Sequence, residues 1–458
     1  MNDSYTINKR NNKLLFPLDR AVDQFVELVI AVIRFFAPAK FQKRIQELTS
    51  HQDLLHNVIG LAFFNALGGL CVMATQVKLA NYFGASVYGI YSYCLAIGEV
   101  GAMFVRYGRN KTMVRDLIQT PQKRDSLIVS TFLLSVINLV LFLSFVFACH
   151  KPLDIEVSLT YFLIILSPCL VSLSLEPVYE SIKLMSWNSI YNLLQKFAFL
   201  TIIWGLFLSR FQVSLLTIGA TAVATWLIVI ILEYYEVSTQ LHINFAKKAQ
   251  LSNLWELYKS NFLIFLSCAT GVAFGPMLRL ILNTYADSRS VGIYAAGLQI
   301  YNIGLFLNTQ MARVGNPMMA EAGRADCPIG RRQKLVFRYA LIMLLSSFIF
   351  ALPMLVFPST MVDYLFTAEY ADLGRFLPIL GVYLMTISIG VVFTQYMISL
   401  RLDKTYFTIY TLSALATIMI AYWLIPIYGA LGAFIALCVP NGMGSLCYMF
   451  FSLKTLRK

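Results

Sequence analysis

The chain is 458 residues long, 58% hydrophobic and only 13% charged, with a formal charge of +13. Soluble domains carry about 25% charged residues, so this composition excludes an ordinary soluble fold and points to a chain dissolved in lipid. The eight cysteines are scattered without a CxxC, and the four histidines have no metal-ligand spacing, so neither a metal site nor a disulfide framework is expected.

Residues 1–53 differ in character from the rest of the chain. From Leu18 to Phe36 the polar positions Asp19, Arg20, Asp23, Gln24, Glu27 and Arg34 recur at helical spacing, leaving an apolar face that runs from Val22 to Phe36. Pro38 ends this helix, and Lys40, Lys43 and Arg44 come after it. Glu27 and Arg34 would sit in hydrocarbon if the helix crossed the bilayer. The pattern therefore predicts an amphipathic helix lying in the interface with its basic run toward anionic lipid, or alternatively a docking site for a cytosolic partner. No signal-peptide cleavage site follows the first apolar stretch.

Apolar runs long enough to cross a bilayer fall near 55–80, 88–105, 127–149, 158–180, 187–208, 213–235, 260–282, 291–312, 336–357, 376–398, 406–426 and 429–452, which predicts twelve transmembrane helices. Lys and Arg test the orientation. The N-terminal segment, the alternate loops and the tail hold 29 of them, the opposite loops hold four (Lys151, Arg210, Arg289, Arg375), and three lie within spans. That bias places both termini in the cytosol and accounts for the net charge without a nucleic-acid partner.

The stretch Tyr88-Gly89-Ile90-Tyr91-Ser92-Tyr93-Cys94-Leu95-Ala96-Ile97 has an echo in Val291-Gly292-Ile293-Tyr294-Ala295-Ala296-Gly297-Leu298-Gln299-Ile300. Gly89, Ile90, Tyr91, Leu95 and Ile97 recur at one offset, and Tyr82 and Gly101 match Tyr285 and Gly304. Both copies open an outside-to-inside helix, the second after six spans. The chain thus reads as a cytosolic segment (1–53), an N-lobe of helices 1–6 (54–235), a cytosolic linker (236–259), a C-lobe of helices 7–12 (260–453) and a tail (454–458). Repeats of this kind mark transporters, with substrate held between the halves.

Charges at bilayer depth cost about 2.5–3.5 kcal/mol each on insertion scales, so each is a candidate for function. Lys78 and Arg279 lie near outer span ends, where each either snorkels to the headgroups or faces a lumen. Lys196 lies deeper, in span 5. With Arg106 and Arg313 at inner ends, these cations are candidates to line one cavity for an anionic lipid-linked ligand. Glu99, mid-span between Gly98 and Gly101, and Glu176, before Pro177, either pair with the lysines or couple transport to a proton or cation. Glu233, at an inner span end, is expected to be solvated.

These residues sit among motifs that resemble the polysaccharide-biosynthesis flippases of the multidrug/oligosaccharidyl-lipid/polysaccharide exporter superfamily. Asn81-Tyr82-Phe83-Gly84-Ala85-Ser86-Val87-Tyr88-Gly89-Ile90-Tyr91-Ser92 is similar to that family's R-x-L-G-x-x-x-Y-G-x-Y-S. Tyr107-Gly108 through Met113-Val114-Arg115-Asp116-Leu117 resembles its G-L…L-V-R-E-L loop. Val291-Gly292-Ile293-Tyr294-Ala295-Ala296 resembles V-G-I-Y-S-A at the start of helix 8, with Pro317 closing that helix, and Pro426-Ile427-Tyr428-Gly429-Ala430-Leu431-Gly432-Ala433 resembles P-x-Y-G-x-x-G-A before helix 12. The family's basic residue falls on Asn81, with Lys78 a turn earlier, and Leu278 stands where an acidic residue often precedes Arg279.

The resemblance implies an all-α membrane protein of two pseudo-symmetric six-helix lobes in a V around a central cationic cavity, working by alternating access. It implies a polyprenyl-pyrophosphate-linked oligosaccharide of an O-antigen, capsule or exopolysaccharide as substrate, moved across a bacterial cytoplasmic (inner) membrane. No cofactor is expected beyond a proton or sodium gradient. Membrane lipid and the glycosyltransferase or polymerase of polysaccharide assembly, reached through residues 1–53, are the expected partners. A drug exporter of the same superfamily would want an acidic cavity instead. A glycan polymerase or ligase would need large outer loops, and the longest here, 358–375 with Asp363, Glu369 and Asp372, reads as a solvated amphipathic loop rather than a catalytic pair, so no enzyme is expected. A membrane scaffold tethered by residues 1–53 would have no use for buried charges.

Overall fold

The computed structural model describes residues 52–153, 156–182, 185–209, 212–240, 251–324 and 326–456. The expected interfacial helix at 18–36 lies outside them, as do residues 241–250 of the linker. Every described element is helical. Among the described residues, ten helices are long and apolar enough to cross a membrane, or eleven with one bent pair counted as a span. The expected twelve is reached only if the two arms of the first helix are counted separately.

That helix, α1 (Gln52–Arg106), holds expected spans 1 and 2. Its interior is broken at Gly84, with φ 73° and ψ 172°, a region essentially reserved for glycine. Side chains on either side of the break meet: Tyr88 Oη donates to Gln76 Oε1 at 3.1 Å. In an unbroken helix these residues would stand about 18 Å apart, so α1 doubles back on itself as a hairpin. After Tyr107 and Gly108, both at positive φ, α2 (Arg109–Gln119) runs to α3 (Arg124–Ala148). Then come α4 (Leu159–Val171), the short α5 (Glu176–Ser181), α6 (Met185–Leu208) and α7 (Leu215–Gln240). Contacts of α1 with α3, α4 and α6, and of α7 with α4 and α6, make these one bundle.

The second bundle opens with a broken span. α8 (Leu251–Val272) and α9 (Pro276–Tyr285) are bent by 45° within expected span 7 (260–282), because Pro276 brings no amide to the preceding turn. α10 (Ser288–Ala322) continues through Pro317, which was expected to end it. α11 (Ile329–Val356), α12 (Pro358–Leu365), α13 (Leu373–Ser399), α14 (Asp403–Tyr428) and α15 (Ala430–Leu456) complete the bundle. We call the end that carries Arg106, α2 and Arg324 the basic end, and the end at Gly84 and Asp287 the far end.

The bundles meet chiefly along the second arm of α1 and α10, the two helices that carry the sequence repeat. A Cβ added at Gly89 would overlap Ser288 O, and one added at Gly292 would overlap Ala85 O. Gly89 and Gly292 stand 203 residues apart, as do Ala85 and Ser288. The repeat is thus a pseudo-twofold contact, each copy presenting its glycine to the same backbone position of the other. Close glycine-mediated approach is how helices associate where lipid provides no hydrophobic driving force between them. Within the first bundle Gly98 packs in the same way on Ile165 O and Pro168.

Expected span 4 is interrupted at 172–175, and a buried polar cluster holds the break. Arg109, 4% exposed, donates to Ser172 O, to Ser174 O at 3.2 Å and to Ser135 Oγ at 3.1 Å. Burial pulls its guanidinium below the ordinary value. Glu233, expected to be solvated, is instead 1% exposed and accepts from Leu175 N at 3.0 Å and Ser174 Oγ at 3.2 Å. Its carboxylate takes the place of the helical carbonyls that the break removes. Beside it, Glu236 accepts from Tyr179 Oη at 2.8 Å and Tyr191 Oη at 2.7 Å.

Thermal unfolding in detergent is expected to register both features. Gly98→Ala forces α1 from α4 and lowers stability by about 1–3 kcal/mol. Glu233→Leu strands the Leu175 amide and the Ser174 hydroxyl, costing about 1–3 kcal/mol, whereas Glu233→Gln keeps an acceptor and loses less; equal losses would refute the capping role.

Candidate functional site

A polar layer crosses the seam between the bundles. The 45° bend places the short α9 against α1, and Arg279 reaches from it to the opposite lobe. Arg279 Nη2 donates to Glu99 Oε2 in an ion pair between residues 180 positions apart. Nη1 donates to Ser92 O at 3.3 Å and Ser92 Oγ at 3.5 Å. Nε is buried with no protein partner in the structure. The Arg279 side chain is 11% exposed and the Glu99 side chain 42%. The arginine is therefore fixed by protein, while its carboxylate partner faces open space.

One turn further toward the far end, Gln76 accepts from Tyr88 and its Nε2 donates to Tyr91 Oη at 3.5 Å, and Gln299 of α10 also reaches the Tyr88 hydroxyl. Both arms of α1, α9 and α10 thus contribute polar groups to one layer. A guanidinium offers five N–H donors, and this one uses them on a carboxylate and a carbonyl with Nε left over. The arrangement suits an anion that replaces or joins Glu99, with bidentate geometry available to a phosphate. Distance in sequence hid the Arg279–Glu99 pair, since no acid lies near Arg279 along the chain.

The other expected site residues occupy separate surroundings. Lys78 is exposed, with Nζ over the rings of Phe207 (5.3 Å) and Trp204 (5.9 Å) of α6. Lys196 lies against the first arm of α1, its Nζ 3.4 Å from where a Cβ at Gly68 would stand; any side chain at Gly68 would crowd it. Arg106 is half-buried at the basic end, near enough to Arg109 to oppose its charge. Arg313 falls on α10, and its side chain is outside the described residues. Glu176 begins α5, where its Oε2 accepts from Asn110 Nδ2 at 3.2 Å, placing it with the polar cluster of the basic end rather than with Glu99. Among the described residues no three His, Cys, Asp or Glu side chains are grouped to hold a metal ion.

At the basic end α8 also touches the first bundle. Tyr107 stacks on Phe265 with ring centroids 4.5 Å apart, and Tyr258 Oη donates to Asn138 Oδ1. The sequence reading missed these residues, together with Arg109 and Gln76, because uncharged or loop-edge positions carry no cost signal in a hydropathy argument.

Comparison with known proteins places this geometry in a family. The sequence profile of the family described as "Polysaccharide biosynthesis protein" matches residues 54–322, more than half of the chain. No curated protein sequence matches. Among solved structures the chain is similar to an inward-facing multidrug resistance MATE family transporter of the MOP superfamily, with a TM-score of 0.60 and 12% identity over 87% of this chain and 94% of that one. The outward-facing form of a MATE transporter of that superfamily gives 0.57 and 12%, over 88% and 96%. A mutant of the Vibrio cholerae MATE transporter VcmN gives 0.60 and 15%, over 89% and 98%. At such identities the likeness carries the fold, and the profile carries the family: the chain belongs to the polysaccharide biosynthesis protein family, built as a multi-pass membrane protein on the fold of MOP-superfamily transporters.

Proposed function

We propose that the protein is a flippase, not an enzyme, that moves a polyprenyl-pyrophosphate-linked oligosaccharide across the bacterial cytoplasmic membrane. The observation that carries this reading is Arg279, an arginine at the seam of two repeat-related bundles with a buried Nε to spare. The pyrophosphate takes over the guanidinium from Glu99, the sugar head occupies the space between the bundles, and the prenyl tail stays in lipid. Lys196, Lys78, Arg106 and Arg313 add positive charge along the way. Displaced from Arg279, Glu99 loses its counter-charge and becomes a proton or cation acceptor, which supplies a route for coupling to an ion gradient. The basic end is the cytosolic side in this reading, on the positive-inside bias, and residues 1–53 offer a cytosolic platform for the enzymes of glycan assembly.

A second reading draws on the same carboxylate. Glu99 is 42% exposed in its side chain, and an acid open to the space between lobes suits a cation-coupled drug exporter. Its fold neighbours include multidrug transporters.

The test is a deletion strain complemented with variants, scoring surface glycan, the leaflet that holds lipid-linked intermediate, and drug sensitivity. Charge-assisted contacts are worth about 1.5–3 kcal/mol, or roughly 10- to 150-fold. Arg279→Ala is expected to lower surface glycan by that order, with intermediate held on the cytosolic leaflet and protein level unchanged. Normal glycan with drug resistance lost in both Arg279→Ala and Glu99→Gln would replace the flippase by the exporter.

A further inference from the structure

We infer that the far-end seam between the lobes is a clasp in which one lobe supplies the helix cap that the other lacks. The 203-residue repeat offset that pairs Gly89 with Gly292 also pairs Gly84 with Asp287. Asp287 is the N-cap of α10, and its carboxylate accepts from Ser290 N at 2.7 Å. The equivalent position, Gly84, opens the second arm of α1 and has no side chain to cap it. The missing carboxylate comes from across the seam: Glu369, in the turn Ala368–Tyr370 of the other lobe, accepts from Ala85 N at 2.7 Å. A Cβ at Gly84 would stand 2.6 Å from Glu369 Oε2, so the glycine both makes the turn and clears the space for the foreign carboxylate.

Three further bonds run across the same seam. Asn81 Nδ2 donates to Leu365 O at 2.8 Å, Thr367 N donates to Asn81 Oδ1 at 3.0 Å, and Tyr370 Oη donates to Ala80 O at 3.1 Å. Tyr370 is fully buried. The segment 358–375, expected to be a solvated loop, is thus engaged with the opposite lobe. One copy of the repeat carries its cap permanently. The other is capped only while the lobes are closed, because the first amides of a helix have no intrahelical acceptors. Parting of the lobes at this end must break every one of these bonds together. The clasp rests on the transporter fold and on no particular substrate.

Native cysteines report on it. Cys94 is 1% exposed and lines a small cleft of about 210 Å³ at the seam with Tyr93, Glu156, Tyr161, Asn283 and Ser288. Cys149, at the end of α3, is partly exposed, and Cys169 is fully buried within the first bundle. The full-length protein in lipid nanodiscs, where both faces are accessible, is treated with N-ethylmaleimide, and modification is read at each cysteine by peptide mass spectrometry. Glu369→Ala is expected to speed Cys94 modification by roughly 10- to 150-fold, the factor equivalent to one lost charge-assisted hydrogen bond, and Asn81→Ala by about 2- to 10-fold, that of a neutral one. Cys149 stays at its wild-type rate, and Cys169 stays protected, which certifies the fold. Gly292→Ala, which wedges α10 from Ala85, speeds Cys94 in the same way. Asp287→Ala removes the permanent cap without touching the clasp and leaves Cys94 within about twofold. An unchanged Cys94 rate in folded Glu369→Ala and Asn81→Ala, or equal opening by Asp287→Ala, overturns the inference.

Discussion

Backbone approaches backbone at Gly89 and Gly292 so closely that no side chain fits between α1 and α10, and the placement of both bundles depends on that approach. In lipid, helices gain little by hiding apolar surface from one another, so packing and satisfied polar groups set the arrangement. The contact is made twice, by each repeat copy on the same residue of the other, which fixes the relative rotation of the lobes as well as their spacing. What lies near this axis is held in place by both lobes, and what lies away from it is free to differ between them.

The polar layer at Arg279 begins one turn along α1 from that contact, at Ser92. A lone guanidinium inside a bilayer is costly, and pairing with Glu99 offsets the cost without closing the site, because the carboxylate is the more exposed partner. The pair joins opposite lobes, so whatever takes Arg279 from Glu99 also alters how the lobes are tied. In the proposed flippase, binding and lobe movement are linked there through one residue, a more economical arrangement than a binding site in one lobe and a sensor in another. Beside the pair, Gln76 holds the hydroxyls of Tyr88 and Tyr91 from within α1.

Much of the fold is legible in the sequence, for a physical reason. A span must be apolar over its whole crossing, so hydropathy finds it without knowledge of its neighbours. The repeat glycines are legible too, since only close approach requires them at one offset. What the sequence hides is anything whose partner is a backbone group or lies far along the chain. Glu233 reads as a charge at the edge of an apolar run, and nothing nearby reveals that its partners are the amide of Leu175 and the hydroxyl of Ser174, 58 and 59 residues earlier. Arg109 counts among the basic-end cations until its three acceptors are seen. Glu369 looks like a loop acid because the helix end it caps belongs to the other half of the protein. Glu99 and Arg279 are each recognisable as unusual, but their pairing is not, and Lys78 gives no hint of the aromatic rings beneath its ammonium.

The break at 172–175 also bears on how the chain is made. Unpaired backbone amides are not tolerated in contact with lipid, and here the acceptor for Leu175 N resides on α7. α4 and α5 emerge from the ribosome well before Glu233 does. The fourth span therefore reaches its native, broken form only once α7 has joined it, and until then an unbroken helix, with Leu175 N paired within its own segment, is the form that lipid favours.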